Sequence, residues 1–216
     1  MLNFISINSP EFAKSCVILL HGLGADGFDF KPVVEMLSLP HIHFILPHAR
    51  YKKITMNNGY EMRAWYDLFG LSKDSPQDAV GIEASRVDIE ALIAHANSLE
   101  VPTHRIALAG FSQGGAIALH TALRHPQPLA GVLALSTYLP LKNTLPTEKS
   151  VQNQSIPIFM AHGDADEVIH IETALSARQQ LLDNGYLVEW HEYPMAHSVN
   201  ANEITDIRQF LLKILP

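Results

Sequence analysis

Short, almost uninterrupted apolar runs closed by turn residues are the feature that most restricts what this chain can fold into. Cys16–His21 (CVILLH) stops at Gly22, and His43–Leu46 (HFIL) stops at Pro47. A strand with one wet face alternates polar and apolar residues, so runs this continuous read as strands buried on both faces. Further candidates are Arg105–Ala109, Gly131–Leu135, Pro157–Ala161 and Leu187–His191. Between them lie stretches of helical period at Phe28–Leu37, Gly81–Leu99, Gln113–Arg124, Ile171–Asn184 and Asn200–Leu215. In the second of these, Ile82, Val87, Ile89, Leu92, Ile93 and Leu99 recur at helical spacing. The third must stop before His125-Pro126, because proline cannot continue a helix, and the fourth stops at Asn184-Gly185, a C-terminal cap signal. Alternation of strand and helix implies an α/β class, with a mostly parallel central sheet and helices on both faces. Such sheets carry ligand chemistry at the carboxyl ends of their strands. The loops that follow strands are therefore the ones to inspect.

Composition narrows the function. Of 216 residues, 47% are apolar types and 17% charged, which excludes a disordered chain. A chain of this length buries about 70% of its unfolded surface, and no linker or repeat divides it, so residues 1–216 are expected to form a single domain. The net charge is −7 and the pI about 5.9, a balance that argues against nucleic acid, whose phosphates need clustered Lys and Arg. No apolar run reaches the roughly 18–20 residues of a membrane span. The opening segment lacks a basic n-region and is expected to lead into a core strand instead of serving as a secretion signal. A lone cysteine, Cys16, excludes an internal disulfide and fits a reducing, cytoplasmic setting.

Immediately after the Arg105–Ala109 run comes Gly110-Phe111-Ser112-Gln113-Gly114-Gly115, followed by a helix. This is G-x-S-x-G in the context of strand, sharp turn and helix. A serine on so tight a turn sits at strained backbone angles, and glycines two before and two after it remove the side chains that would collide. Ser112 is the candidate nucleophile, placed at a helix N-terminus that favours developing negative charge. Acyl transfer also needs donors for an oxyanion. The loop His21-Gly22-Leu23-Gly24-Ala25-Asp26-Gly27 follows the first buried run, and the candidate donors are the N–H groups of Leu23 and Gln113. A phosphate loop is the competing reading, but its lysine and threonine are missing.

The acid belongs on a loop after a later strand, and His162-Gly163-Asp164-Ala165-Asp166-Glu167 offers two aspartates between which spacing does not choose. Of the 12 histidines, His197 lies between the last strand and the last helix and completes the chain order serine, aspartate, histidine. His41 and His43 lack the further ligands of a metal site, and no H-E-x-x-H occurs. The remaining histidines read as polar surface or satisfied core groups.

Taken jointly, HGLGADG, PHAR at 47–50, RAWYDL at 63–68, GFSQGG, HGDADEVI and MAHSV resemble the acyl-protein thioesterase/lysophospholipase/carboxylesterase family of α/β-hydrolases across nearly the whole chain. The resemblance implies the α/β-hydrolase fold without a large lid, and hydrolysis of carboxylic esters or acyl thioesters with no metal or cofactor. It implies Ser112, Asp166 and His197 as a triad, with Leu23 and Gln113 as main-chain oxyanion donors. One departure is Glu167, where many relatives carry proline. The resemblance also suggests that the turn-rich stretch Tyr60–Asp78 borders an acyl pocket. Trp65 and Leu71 from that stretch, with Val168 and Met195 beside the triad, are candidate lining residues; Trp65 packing in the core is the competing reading. The substrate would be a small ester, a lysophospholipid or an acylated protein, and apolar residues near the pocket leave room for a homodimer. Two other readings compete. A peptidase on this scaffold usually needs an extra domain for which the chain has no room. A non-catalytic binding protein would be expected to have lost one of the groups named.

Overall fold

The computed structural model describes residues 1–8, 11, 13–71 and 75–216; positions 72–74 of the Tyr60–Asp78 stretch lie outside that description. Its strands are β1 (Phe4–Ile7), β2 (Ser15–Leu20), β3 (Ile42–Pro47), β4 (Tyr51–Ile54), β5 (Tyr60–Arg63), β6 (Ile106–Phe111), β7 (Gly131–Leu135), β8 (Ile158–Gly163) and β9 (Val188–Tyr193). Its helices are α1 (Lys31–Leu37), α2 (Ala79–Ser98), α3 (Gln113–Ala122), α4 (Leu145–Glu148), α5 (Ile171–Asp183) and α6 (Ala201–Ile214). Seven strands form one sheet in the order β1-β3-β2-β6-β7-β8-β9, parallel throughout except for β1, which runs antiparallel to β3 at the edge.

The sheet is covered on both faces, which is why its central strands are continuously apolar. Alternate residues of β2 point to opposite sides. Cys16, Ile18 and Leu20 join a core that includes Ile82, Ile89 and Leu92 of α2, Ile117 of α3 and Leu181 of α5. Val17 and Leu19 face Val34 and Leu37 of α1 and Ile204, Ile207 and Phe210 of α6. Every residue of β2, β3, β7 and β8 is buried. This is the expected fold class, and strand boundaries fall within one or two residues of the apolar runs. Helix Gly81–Leu99 begins two residues earlier than expected because Asp78 caps it, accepting from the Gly81 N–H. Phe28–Leu37 splits into a 3-10 turn over Gly27–Phe30 and α1, whose first turn carries Pro32.

Three strands escape the apolar-run criterion. β1 is a four-residue edge strand interrupted by the exposed Ser6, and β4 and β5 form a separate antiparallel hairpin in which only Ile54 is fully buried. Ser6 also accounts for buried His43, whose Nε2 lies 2.8 Å from the serine hydroxyl. Among the described residues no group of three His, Cys, Asp or Glu side chains could hold a metal, and no helix is long and apolar enough to cross a membrane.

Candidate active site

Strand β6 lies between β2 and β7, so its carboxyl end is held on both sides. There the chain reverses into α3 at Ser112, whose backbone adopts φ 54° and ψ −121°, a conformation that costs a non-glycine residue about 1–3 kcal/mol. Neighbouring structure imposes it. The Ser112 N–H donates to the Leu135 carbonyl (2.9 Å), and the Thr137 hydroxyl donates to the Ser112 carbonyl (2.6 Å). A Cβ on Gly110 would run into the backbone of Gly114, and one on Gly114 into the carbonyls of Leu20 and His21. The flanking glycines are thus required by close approach of backbone to backbone.

Ser112 Oγ lies 2.9 Å from His197 Nε2, and His197 Nδ1 lies 2.7 Å from Asp166 Oδ2. A carboxylate only accepts, so Nδ1 carries the proton and Nε2 is free to accept from the serine hydroxyl. The Asp166 side chain is fully buried, and its Oδ1 accepts from the N–H groups of Val168 and Ile169 (2.9 Å each). Asp164 is exposed. Of the two aspartates that spacing left open, geometry brings Asp166 to His197. The Phe111 ring backs the imidazole, with centroids 4.7 Å apart. The loop carrying His197 packs against the loop carrying Asp166: the Ala165 N–H donates to the Met195 carbonyl, and a Cβ on Gly163 would strike that same carbonyl.

Leu23 and Gln113 both face the cavity into which Ser112 opens. Gln113 is the first residue of α3, so its N–H cannot be satisfied within the helix. The His21–Gly27 loop is anchored by His21, whose Nδ1–H donates to the Gly22 carbonyl while Nε2 accepts from the Ala49 N–H (3.0 Å). Burial holds this imidazole below the ordinary histidine range, in keeping with its neutral pattern of one donor and one acceptor.

The cavity measures about 530 Å³. Leu71 and Val168 lie on its wall, joined by Phe30, Val33, Met56, Leu68 and Tyr138. Trp65 and Met195 do not line it. The Met195 side chain packs on the core face shared with α6; its contribution near the site is the carbonyl just described. Trp65 is 2% exposed and lies behind the loops that carry the candidate donors. Its indole N–H donates to the His21 carbonyl (2.8 Å) and its backbone N–H to Gln113 Oε1 (2.9 Å), while Gln113 Nε2 donates to the Tyr66 carbonyl (2.8 Å). One aromatic residue therefore ties together both loops that carry the candidate donors. Tyr138 was accessible to the rule that loops after strands carry chemistry, since it follows β7. Phe30 and Val33 were not, because a helix stripe does not reveal which of its ends meets a cavity.

An aligned serine, imidazole and carboxylate beside two candidate backbone donors is an arrangement suited to acyl transfer, and comparison with known proteins leads the same way. Residues 3–215 match the phospholipase/carboxylesterase family. Acyl-protein thioesterase 1 of Mycosarcoma maydis is 38% identical over all of this chain and 98% of its own length. Acyl-protein thioesterase 1 of Neurospora crassa is 39% identical over 96% of this chain and 90% of its own. Among solved structures, acyl-protein thioesterase 2 of Zea mays matches with a TM-score of 0.90 at 26% identity, covering both chains fully. SOBER1 of Arabidopsis thaliana matches at 0.89 and 25% identity, over 94% of this chain and 99% of its own. The chain therefore belongs to the phospholipase/carboxylesterase family of α/β-hydrolases and is a hydrolase of that type.

Proposed function

We propose that this protein, acting as a single domain, hydrolyses carboxylic esters or acyl thioesters through an acyl-enzyme formed on Ser112. The observation that carries the reading is the continuous line from Ser112 Oγ to His197 Nε2 (2.9 Å) and from His197 Nδ1 to Asp166 (2.7 Å), opening on an apolar-walled cavity. Neutral His197 takes the Ser112 proton as the oxygen attacks the acyl carbonyl. Asp166 holds the tautomer that leaves Nε2 unprotonated and stabilises the imidazolium that forms. The N–H groups of Leu23 and Gln113 receive the negative charge on the carbonyl oxygen. His197 then protonates the departing alcohol or thiol, and water enters by the same route to release the acid and restore Ser112. Each step uses groups of this chain and water.

The acyl chain lies against Leu71, Val168 and the rest of the apolar wall, where each buried methylene contributes about 0.8 kcal/mol. The names of the fungal relatives make an acylated protein the leading substrate class, with lysophospholipids and small esters beside it. Fluorophosphonate labelling and turnover of p-nitrophenyl acyl esters test the reading. Ser112 should carry the label, and Ser112→Ala should lose both labelling and turnover while melting near the wild-type temperature. Substantial turnover by that variant refutes the assignment.

A further inference from the structure

The His162 side chain, near the carboxyl end of β8 just before the acid loop, is fully buried and has no part in the steps above. Its Nε2 lies 2.7 Å from the Ile169 carbonyl oxygen and 3.3 Å from Asp166 Oδ2, the oxygen that accepts from His197. A carbonyl only accepts, so Nε2 carries the proton. Nδ1 is buried and has no partner among the described residues. A second proton there would be an orphan donor, at a cost of about 1–3 kcal/mol, which leaves a neutral ring in a single tautomer. Burial holds His162 below the ordinary histidine range, against the opposing pull of the Ile169 carbonyl and Asp166. The titratable groups facing it are Asp166 on the acid loop, His197 on the loop before α6, and Glu192 on β9.

The Ile169 backbone is held on both sides of its Cα. Its carbonyl accepts from His162, and its N–H donates to Asp166 Oδ1. We propose that His162 is a positioning residue for Asp166, its Nε2–H fixing the Ile169 backbone, whose N–H orients the carboxylate, and setting a positive dipole end against Oδ2. The role rests on the triad reading given above. Without that N–H the loop loses one of its ties to β8, and the carboxylate, relieved of a neighbouring dipole, draws the imidazolium proton of His197 more strongly. Misorientation lowers kcat. The stronger pull moves the acid limb of the kcat/KM profile to higher pH.

Two amides separate these effects from packing. His162→Gln sets its N–H where Nε2 stands, whereas the shorter side chain of His162→Asn sets it near Nδ1, out of reach of Ile169. Asn should lower kcat about tenfold or more with KM within about threefold, and should raise the acid limb by about half a pH unit. Gln should stay near wild type in both. Folded variants that behave alike, with an unmoved limb, overturn the proposal. Nitrogen-15 shifts of the wild-type imidazole give a second reading that needs no substitution. The neutral Nε2–H tautomer should dominate at neutral pH, and an imidazolium or an Nδ1–H ring there overturns the proposal. A wild type that turns over no acyl ester overturns the triad reading itself, whereas an active wild type with equivalent variants overturns only the positioning role.

Discussion

Glu203 lies in the first turn of α6, a few residues beyond His197, and is the most sharply testable group in the molecule. It is 0% exposed, and neither carboxyl oxygen has a hydrogen-bond partner among the described residues. Burial raises its pKa to about 8 and Asp206 adds repulsion; the Asn200 backbone pulls the other way without forming a hydrogen bond to the carboxyl. The carboxyl is therefore protonated in the folded state across neutral pH, while in the unfolded chain it ionises near 4.5. A folded pKa raised above the unfolded one means that the native state binds the extra proton. The stability it allows is fully present below about pH 4.5 and is lost progressively as the pH rises to about 8, at about 1.4 kcal/mol per pH unit. At pH 7 the loss amounts to about 3 kcal/mol. Glu203→Gln keeps the shape and removes the titration. Urea unfolding followed by the fluorescence of Trp65 and Trp190 should show the two proteins nearly equal at about pH 4.5, with the variant gaining on the wild type by that slope up to about pH 8. A stability difference that stays flat with pH would mean that Glu203 is ionised or paired in the fold, and the reasoning fails.

Three further outcomes follow from the site. Asp166→Asn should lower kcat by about 10⁴, since an amide N–H there favours the wrong imidazole tautomer, while exposed Asp164→Asn should change it little; steady-state kinetics showing the reverse ranking would move the acid assignment. Trp65→Phe keeps the ring bulk but strips the His21 carbonyl of its donor. It should cost about 1–3 kcal/mol in denaturant unfolding and lower kcat more than it raises KM, and an unchanged kcat would detach Trp65 from the oxyanion loops. Leu71→Ala should weaken discrimination between short and long acyl esters by up to about 1–3 kcal/mol in kcat/KM, and an unaltered chain-length profile would remove Leu71 from the acyl wall.

The strands and turns that hold the site were readable because they obey local rules. A parallel strand covered on both faces needs a continuous apolar run, as in β2 and β8. The turn at Ser112 needs glycine at 110 and 114, where any Cβ would meet backbone. β1, β4 and β5 were hidden for the converse reason: each is four residues long and partly wet, so little burial marks it. The lining of the cavity was only partly legible. Leu71 and Val168 reach it, but whether an aromatic in a polar stretch faces a ligand or the core is not written near it in the chain. For Trp65 the deciding partners are His21 and the Gln113 side chain, 44 and 48 positions away.

The order of apolar runs and glycine turns thus determined the fold class, the nucleophile turn and the chemistry of the three candidate groups, because each follows from contacts within a few residues. Only the folded chain decided which aspartate meets His197, that His162 stands behind that aspartate, and that Trp65 ties the His21 loop to Gln113 without lining the cavity. Those outcomes depend on the packing of elements far apart in sequence, where a few ångströms separate a hydrogen bond from none.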